Sequence, residues 1–217
     1  MRCTPRFSLF AAVVVLALCL VVPASAAAGT RWSSKASTAD SSASVASCAA
    51  VATSATPFSA WGDSASYGLV PGGSFEGSSG WALVSATAVV GNESFYVTSK
   101  KDTTSLNIKA GGSATTPLFC GTLATPTVRF FARADSTSAK LLVEVLYTDP
   151  FTGKLGSLPI GSVAGTSAWA PTSAMYLLAN LLALGQPDQS TDLALRLTAT
   201  SGSWQADDVY IDPFRKG

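Results

Sequence analysis

Leu193-Ala194-Leu195-Arg196-Leu197-Thr198 decides the fold class. Leucine alternates with alanine, arginine and threonine, so one face is wholly apolar and the other is mixed. A period of two is the mark of a β-strand with one face on a core. Val128-Arg129-Phe130-Phe131-Ala132-Arg133 carries the same beat. It predicts Val128, Phe130 and Ala132 inward, with Arg129 and Arg133 outward. Residues 141–147 are nearly all apolar, which predicts a strand covered on both faces. Residues 81–90, 104–108 and 205–211 read as further strands, and 155–163 as an edge strand at best because of Pro159. Turn signals separate these runs: Pro71-Gly72-Gly73, Gly91-Asn92, Gly111-Gly112, Asp149-Pro150, Gly185-Gln186-Pro187 and Ser201-Gly202. Short strands so spaced predict an all-β sandwich or barrel. One stretch departs from the pattern. Met175, Leu178, Leu181 and Leu182 fall at helical offsets and predict a short helix over residues 174–184.

Composition narrows the chemistry. The 217 residues include no histidine, and only 12% are charged. Without histidine there is no Ser-His-Asp triad, no Cys-His dyad and no His-ligated zinc. The formal charge of +1, with no basic run, leaves no electrostatic footprint for nucleic acid.

The N-terminus reads as an export signal. Arg2 and Arg6 precede an apolar run over residues 9–22, followed by Pro23 and the small triplet Ala24-Ser25-Ala26. This is the layout of a signal peptide over residues 1–26, its run short for a hydrocarbon core of about 30 Å. The expected product is secreted and extracellular, with nothing to hold it in a membrane. Residues 27–55 are Ala/Ser/Thr-rich and read as a flexible linker, too poor in apolar area to offset ordering entropy. Residues 56–217 form the expected domain. Cys3 and Cys19 leave with the signal, while Cys48 and Cys120 remain as an even pair in an oxidising compartment. A disulfide between them is expected, worth roughly 4 kcal/mol on the chain-entropy model.

Two motifs then carry a resemblance. Leu69-Val70-Pro71-Gly72-Gly73-Ser74-Phe75-Glu76, with Gly80-Trp81 after it, resembles the opening strand of galactose-binding-like jelly-roll modules. Trp204-Gln205-Ala206-Asp207-Asp208-Val209-Tyr210-Ile211-Asp212-Pro213 resembles their last strand. The motifs bracket residues 69–213. Pro57-Phe58-Ser59-Ala60-Trp61-Gly62-Asp63 also resembles a segment of small secreted proteins of high-GC Gram-positive bacteria. The first resemblance implies an antiparallel jelly-roll β-sandwich, of the kind found in carbohydrate-binding modules. It also implies a structural Ca²⁺ held by Glu76 and Asp207 where first and last strands meet. Parity agrees in part, since Asp207 is in step with Val209 and Ile211 and would face the core, where a carboxylate needs a partner.

Catalysis is not expected. Glutamate occurs only at 76, 93 and 144, and a glycosidase needs two free carboxylates at a set separation. Glu76 belongs to the first-strand motif, Glu93 lies in a turn, and Glu144 lies mid-strand, expected to pair with Arg129, Arg133 or Arg196. Glycan binding needs aromatic faces for sugar rings and polar side chains for hydroxyls. In the resemblance Trp81, Trp204 and Trp169 serve the framework, and Trp32 is in the linker. Trp61 is left, with Phe95, Tyr96, Tyr147, Phe151 and Tyr210, and of these Trp61, Phe95, Tyr96 and Tyr147 are the ligand-binding candidates. Two functions follow: a secreted non-catalytic module for a glycan or cell-wall polymer, or an extracellular structural or adhesive protein on the same scaffold without a glycan site.

Overall fold

The computed structural model describes residues 51 and 55–212. The expected signal, most of the expected linker, Cys48 and the last five residues lie outside these. The strands are β1 (Gly68–Leu69), β2 (Ala82–Val90), β3 (Thr104–Thr115), β4 (Phe119–Thr122), β5 (Thr127–Ala134) and β6 (Lys140–Thr148). They continue as β7 (Leu155–Ala164), β8 (Ala170–Pro171), β9 (Met175–Tyr176), β10 (Ser190–Ser201) and β11 (Trp204–Asp212). A single 3-10 turn covers Ser59–Trp61, and a longer 3-10 helix covers Leu178–Gly185.

All pairings are antiparallel, in the order β7-β6-β10-β3-β11-β5-β8, with β1 on β11, β2 on β3, β4 on β10 and β9 on β5. The sheet curls into a jelly-roll β-sandwich, because β3 serves both layers. Leu106 to Ile108 pair with β11, and Ser113 to Thr115 pair with β10. Between them the register to β2 slips at Ser85, φ 49°, and Gly111 takes φ 76°. Gly111-Gly112 therefore bends a twelve-residue strand from one layer into the other, where the sequence suggested a turn that ends it.

The core lies between the layers. Leu193, Leu195 and Leu197 of β10, Leu141, Val143 and Val145 of β6, Leu106 and Ile108 of β3, and Trp204 of β11 meet there with Val128 and Phe130 of β5. Each such side chain contributes about 1.5–3 kcal/mol by leaving water. The alternation read from β10 and β7's place at the edge hold. Three expectations need correction: an outward Arg129, a doubly covered β6 and the form of the short helix. Arg129 does not face solvent; it is buried at 9% exposure, and Phe131 is fully buried, because chain packs over the second face of β5. On β6 one face is buried, while Leu142 and Leu146 on the other are only half-buried. Strand β2, although rich in valine and alanine, is largely exposed along the sheet edge. The expected helix is a 3-10 helix that buries Ala179, Asn180 and Ala183 and turns Leu178 and Leu181 outward. Asn180 Nδ2 fixes that orientation by donating to the carbonyls of Thr122 and Thr125.

Candidate ligand-binding face

A β-bulge in β11 builds this face. Asp207 stands opposite Phe131, and Tyr210 stands opposite Arg129, so β11 spends one residue more than β5. Asp208, at φ 49°, takes up the difference. Ala206 and Val209 then both point into the core, while Asp207 and Tyr210 point away from it. Asp207 therefore does not share the parity of Val209, contrary to the reading of the sequence.

The outer face of the β11–β5 layer is paved with aromatic side chains. Phe58 is fully buried, stacked on Phe131 at 5.3 Å and set edge-on to Tyr67 at 4.9 Å and Tyr210 at 5.8 Å. The Arg129 guanidinium lies 4.2 Å from the Phe58 ring centre, and its Nη1 meets Asp63 Oδ2 at 2.5 Å. Tyr67 Oη donates to the same Asp63 oxygen at 2.7 Å. The segment around Pro57-Phe58-Ser59-Ala60-Trp61-Gly62-Asp63 is thus clamped onto the sheet.

Trp61 and Phe95 rise above this pavement. Their rings meet edge-to-face at 4.8 Å, and both rest on Phe131, at 5.4 and 5.7 Å. They are 37% and 43% exposed. An open depression of about 560 Å³ runs beside them, lined by Thr56, Pro57, Ser59, Ala60 and Val97. Tyr96 follows Phe95 and is half exposed, at φ 54°. Tyr147 does not join the group. It lies on β6 in the opposite layer, its ring held against Gly156 so closely that a Cβ there would sit 2.6 Å from it.

A polar row lies one step along the same face. Thr87, Asn107, Gln205 and Arg133 stand side by side on β2, β3, β11 and β5. Arg133 Nε donates to Gln205 Oε1, and its guanidinium lies 5.2 Å from the ring centre of Trp169. A cavity of about 320 Å³ opens over this row, with Asp135, Ser167 and Ser203 on its walls. Among the described residues Arg133 pairs with no carboxylate, while Arg129 pairs with Asp63 and Arg196 with Glu144. Reading the sequence missed Asn107, Gln205 and Trp169 as site residues. The strand parity of Asn107 and Gln205 was available, but which strands become neighbours was not.

The loop that carries Phe95 is organised by Glu93, which is fully buried. Its carboxylate accepts the backbone N–H groups of Phe95, Tyr96 and Val97, the last two at 2.9 and 2.8 Å. Its own N–H donates to Asp207 Oδ2 at 2.9 Å. Asp207 Oδ1 accepts from the N–H of Asp208. Burial pushes the Asp207 carboxyl up to about 8, with the charges of Asp208 and Glu93 adding to it. Burial likewise pushes Asp208 up to about 7, with Glu93 and Asp102 adding. Among the described residues neither buried oxygen of Asp208 meets a well-formed hydrogen-bond donor, and the Thr98 side chain only partly offsets the effect of burial.

Both carboxylates of the pair expected to hold calcium accept backbone N–H groups. Glu76 Oε1 accepts the N–H groups of Thr103 at 2.6 Å and Thr104 at 2.7 Å, and these bonds outweigh burial and hold its carboxyl below the usual range. Asp207 is engaged by Glu93 and Asp208 instead. Among the described residues no group of three or more Cys, Asp or Glu is placed to hold a metal ion. Glu144 pairs with Arg196 Nε at 2.8 Å, one of the ion pairs expected for it. Cys120 is buried on β4, and its expected partner Cys48 lies outside the described residues.

No protein-family model matches the sequence, and no curated protein matches it. Solved structures similar to this chain include the CBM22-1–GH10 modules of endo-1,4-beta-D-xylanase 10B from Clostridium thermocellum, complexed with xylohexaose. That match has 18% identity and a TM-score of 0.43, and covers 64% of this chain but only 26% of the other. The CBM22-1 xylan-binding domain of Paenibacillus barcinonensis Xyn10C matches with 14% identity and a TM-score of 0.43, over 64% of this chain and 89% of that one. A family 11 carbohydrate-binding module from Clostridium thermocellum, in complex with a mixed-linked tetrasaccharide, matches with 11% identity and a TM-score of 0.42, over 64% and 91%.

Proposed function

We propose that this protein is a secreted, non-catalytic module that binds carbohydrate or a cell-wall polysaccharide on the outer face of the β11–β5 layer. One observation carries the reading: the exposed Trp61–Phe95 pair rests on Phe131, two residues along the same face of β5 from Arg133 and the row it forms with Gln205 and Asn107. A sugar ring has apolar C–H faces and a rim of hydroxyls, so it needs an aromatic surface next to planar donors and acceptors. Phe131 beneath the pair holds it in place. The expected Cys48–Cys120 disulfide belongs to the same extracellular reading.

The test is calorimetric titration of the purified protein with soluble xylan, mixed-linked β-glucan and peptidoglycan fragments. Binding of one of these, weakened at least about ten-fold in Trp61→Ala and Phe95→Ala at unchanged melting temperature, supports the proposal. No binding to any of them at millimolar saccharide overturns it.

A structural or adhesive role is the second reading, and a separate surface favours it. Leu178, Leu181 and Leu184 recur every three residues on the 3-10 helix and are 57%, 54% and 66% exposed, with Tyr176 at 66% nearby in sequence. Three residues per turn align the leucines on one edge, an apolar stripe of the kind found at protein contacts.

A further inference from the structure

We propose that Glu93 is a positioning residue for the Trp61–Phe95 pair, and that Asp207 anchors it. The inference takes its functional meaning from the carbohydrate reading, but its geometry stands without that reading.

A loop does not present an aromatic ring at a fixed angle without a cause. Phe95 is 43% exposed, so burial alone does not hold it. Tyr96 beside it has φ 54°, a left-handed conformation that costs about 1 kcal/mol or more for a non-glycine residue. Something must over-determine this turn. Glu93 does so by gathering three consecutive backbone N–H groups, from Phe95, Tyr96 and Val97, onto one carboxylate. Those amides have no strand or helix partner, so the carboxylate replaces the missing ladder. Glu93 in turn needs an anchor. Its N–H donates to Asp207, 114 residues away, on β11. The β11 bulge turns Asp207 outward to receive that bond. The line of control runs from the bulge to Asp207, to Glu93, to the Phe95 backbone, and so to the ring that meets Trp61. Val97, third of the three amides, packs against the Phe131–Tyr210 cluster and closes the loop on the sheet.

The chemistry predicts graded loss. Glutamine keeps the length and one carbonyl acceptor but replaces the second acceptor with a donor, which opposes an N–H. Alanine removes all acceptors and leaves three orphaned amides. The experiment compares wild type, Glu93→Gln, Glu93→Ala and Asp207→Asn. It follows amide hydrogen exchange at Phe95, Tyr96 and Val97, the near-ultraviolet circular dichroism of the Trp61–Phe95 pair, and binding of soluble xylan and mixed-linked β-glucan. We expect exchange at these amides to rise on the order of ten-fold or more in Glu93→Ala, with core amides of Leu195 and Leu197 unchanged. The aromatic dichroism should fall with it, and Glu93→Gln and Asp207→Asn should lie between.

Unchanged exchange and dichroism in Glu93→Ala would overturn the proposal. So would a uniform rise that includes the Leu195 and Leu197 amides, since that marks a merely structural residue. If Glu93→Ala does not fold, Glu93→Gln decides on the same readouts: a rise confined to the three amides supports the role, and no local rise overturns it. Failure of the wild type to bind any glycan would sink the carbohydrate reading alone, because exchange and dichroism still decide the role of Glu93.

Discussion

Arg129 Nη1 reaches Asp63 Oδ2 at 2.5 Å, beneath a segment of the chain that the sequence placed ahead of the first strand motif. The contact ties residue 63 to the middle of β5, under the Phe58 ring. It makes that segment part of the outer face of the β11–β5 layer, not a lead-in to the domain.

Breaking this pair should be costly. Arg129 is 9% exposed, and removing its partner leaves a nearly buried cation. Asp63→Asn is expected to destabilise the fold by about 3 kcal/mol, read by urea unfolding. Burial pushes the Asp63 carboxyl up, but hydrogen bonds from Tyr67, the Ala65 N–H and Arg129 win and hold it below its ordinary value. That stability is present above the unfolded carboxyl value of about 4 and fades as pH falls through the lower folded value. An unchanged unfolding midpoint in Asp63→Asn would show that Phe58 packing alone seats the segment.

The buried carboxyls act with the opposite sign. Burial raises Asp207 to about 8 and Asp208 to about 7. The folded protein therefore keeps protons that the unfolded chain releases above about pH 4. Stability should fall as pH rises from about 4 to about 8. Melting temperature measured across that range should decline, and Asp208→Asn should flatten the decline, because it removes one of the carboxyls that burial raises. A melting temperature that climbs between pH 5 and 8 would contradict this.

Gly72 cannot carry a side chain. It has φ 67°, and a Cβ there would lie 2.1 Å from the carbonyl oxygen of Ser79. The turn must stay tight because the Trp81 indole N–H donates to the carbonyl of Pro71 at 3.1 Å. Gly72→Ala is expected to cost about 3 kcal/mol, roughly 10 °C in melting temperature for a domain of this size. A loss below about 1 kcal/mol would mean that the turn relaxes freely.

Chelation should leave the fold alone. Glu76 and Asp207 are satisfied by backbone N–H groups, so removal of divalent cations is expected to shift the melting temperature by less than about 1 °C. A fall of several degrees in the presence of a chelator, restored by Ca²⁺, would require a cation that these bonds do not call for.

By itself, the sequence determined the elements that are local and periodic. The alternating leucines of β10 fixed a one-sided strand, because side chains on a strand must switch faces at every residue. Pro159 marked the edge, since it has no N–H to give a second neighbour. Trp61 and Phe95 were legible as unassigned aromatics. Tertiary structure decided what depends on register and on covering chain. One extra residue in β11 reversed the direction of Asp207, and a bulge is invisible to a count of two. Arg129 was turned from a surface charge into a buried partner by a segment distant in sequence, as no periodicity within β5 records what packs upon it. The row of Asn107, Gln205 and Arg133 exists only because β3, β11 and β5 are neighbours. Tyr147 left the site for the same reason: an aromatic residue becomes a ligand platform by the company it keeps, and strand order assigns that company.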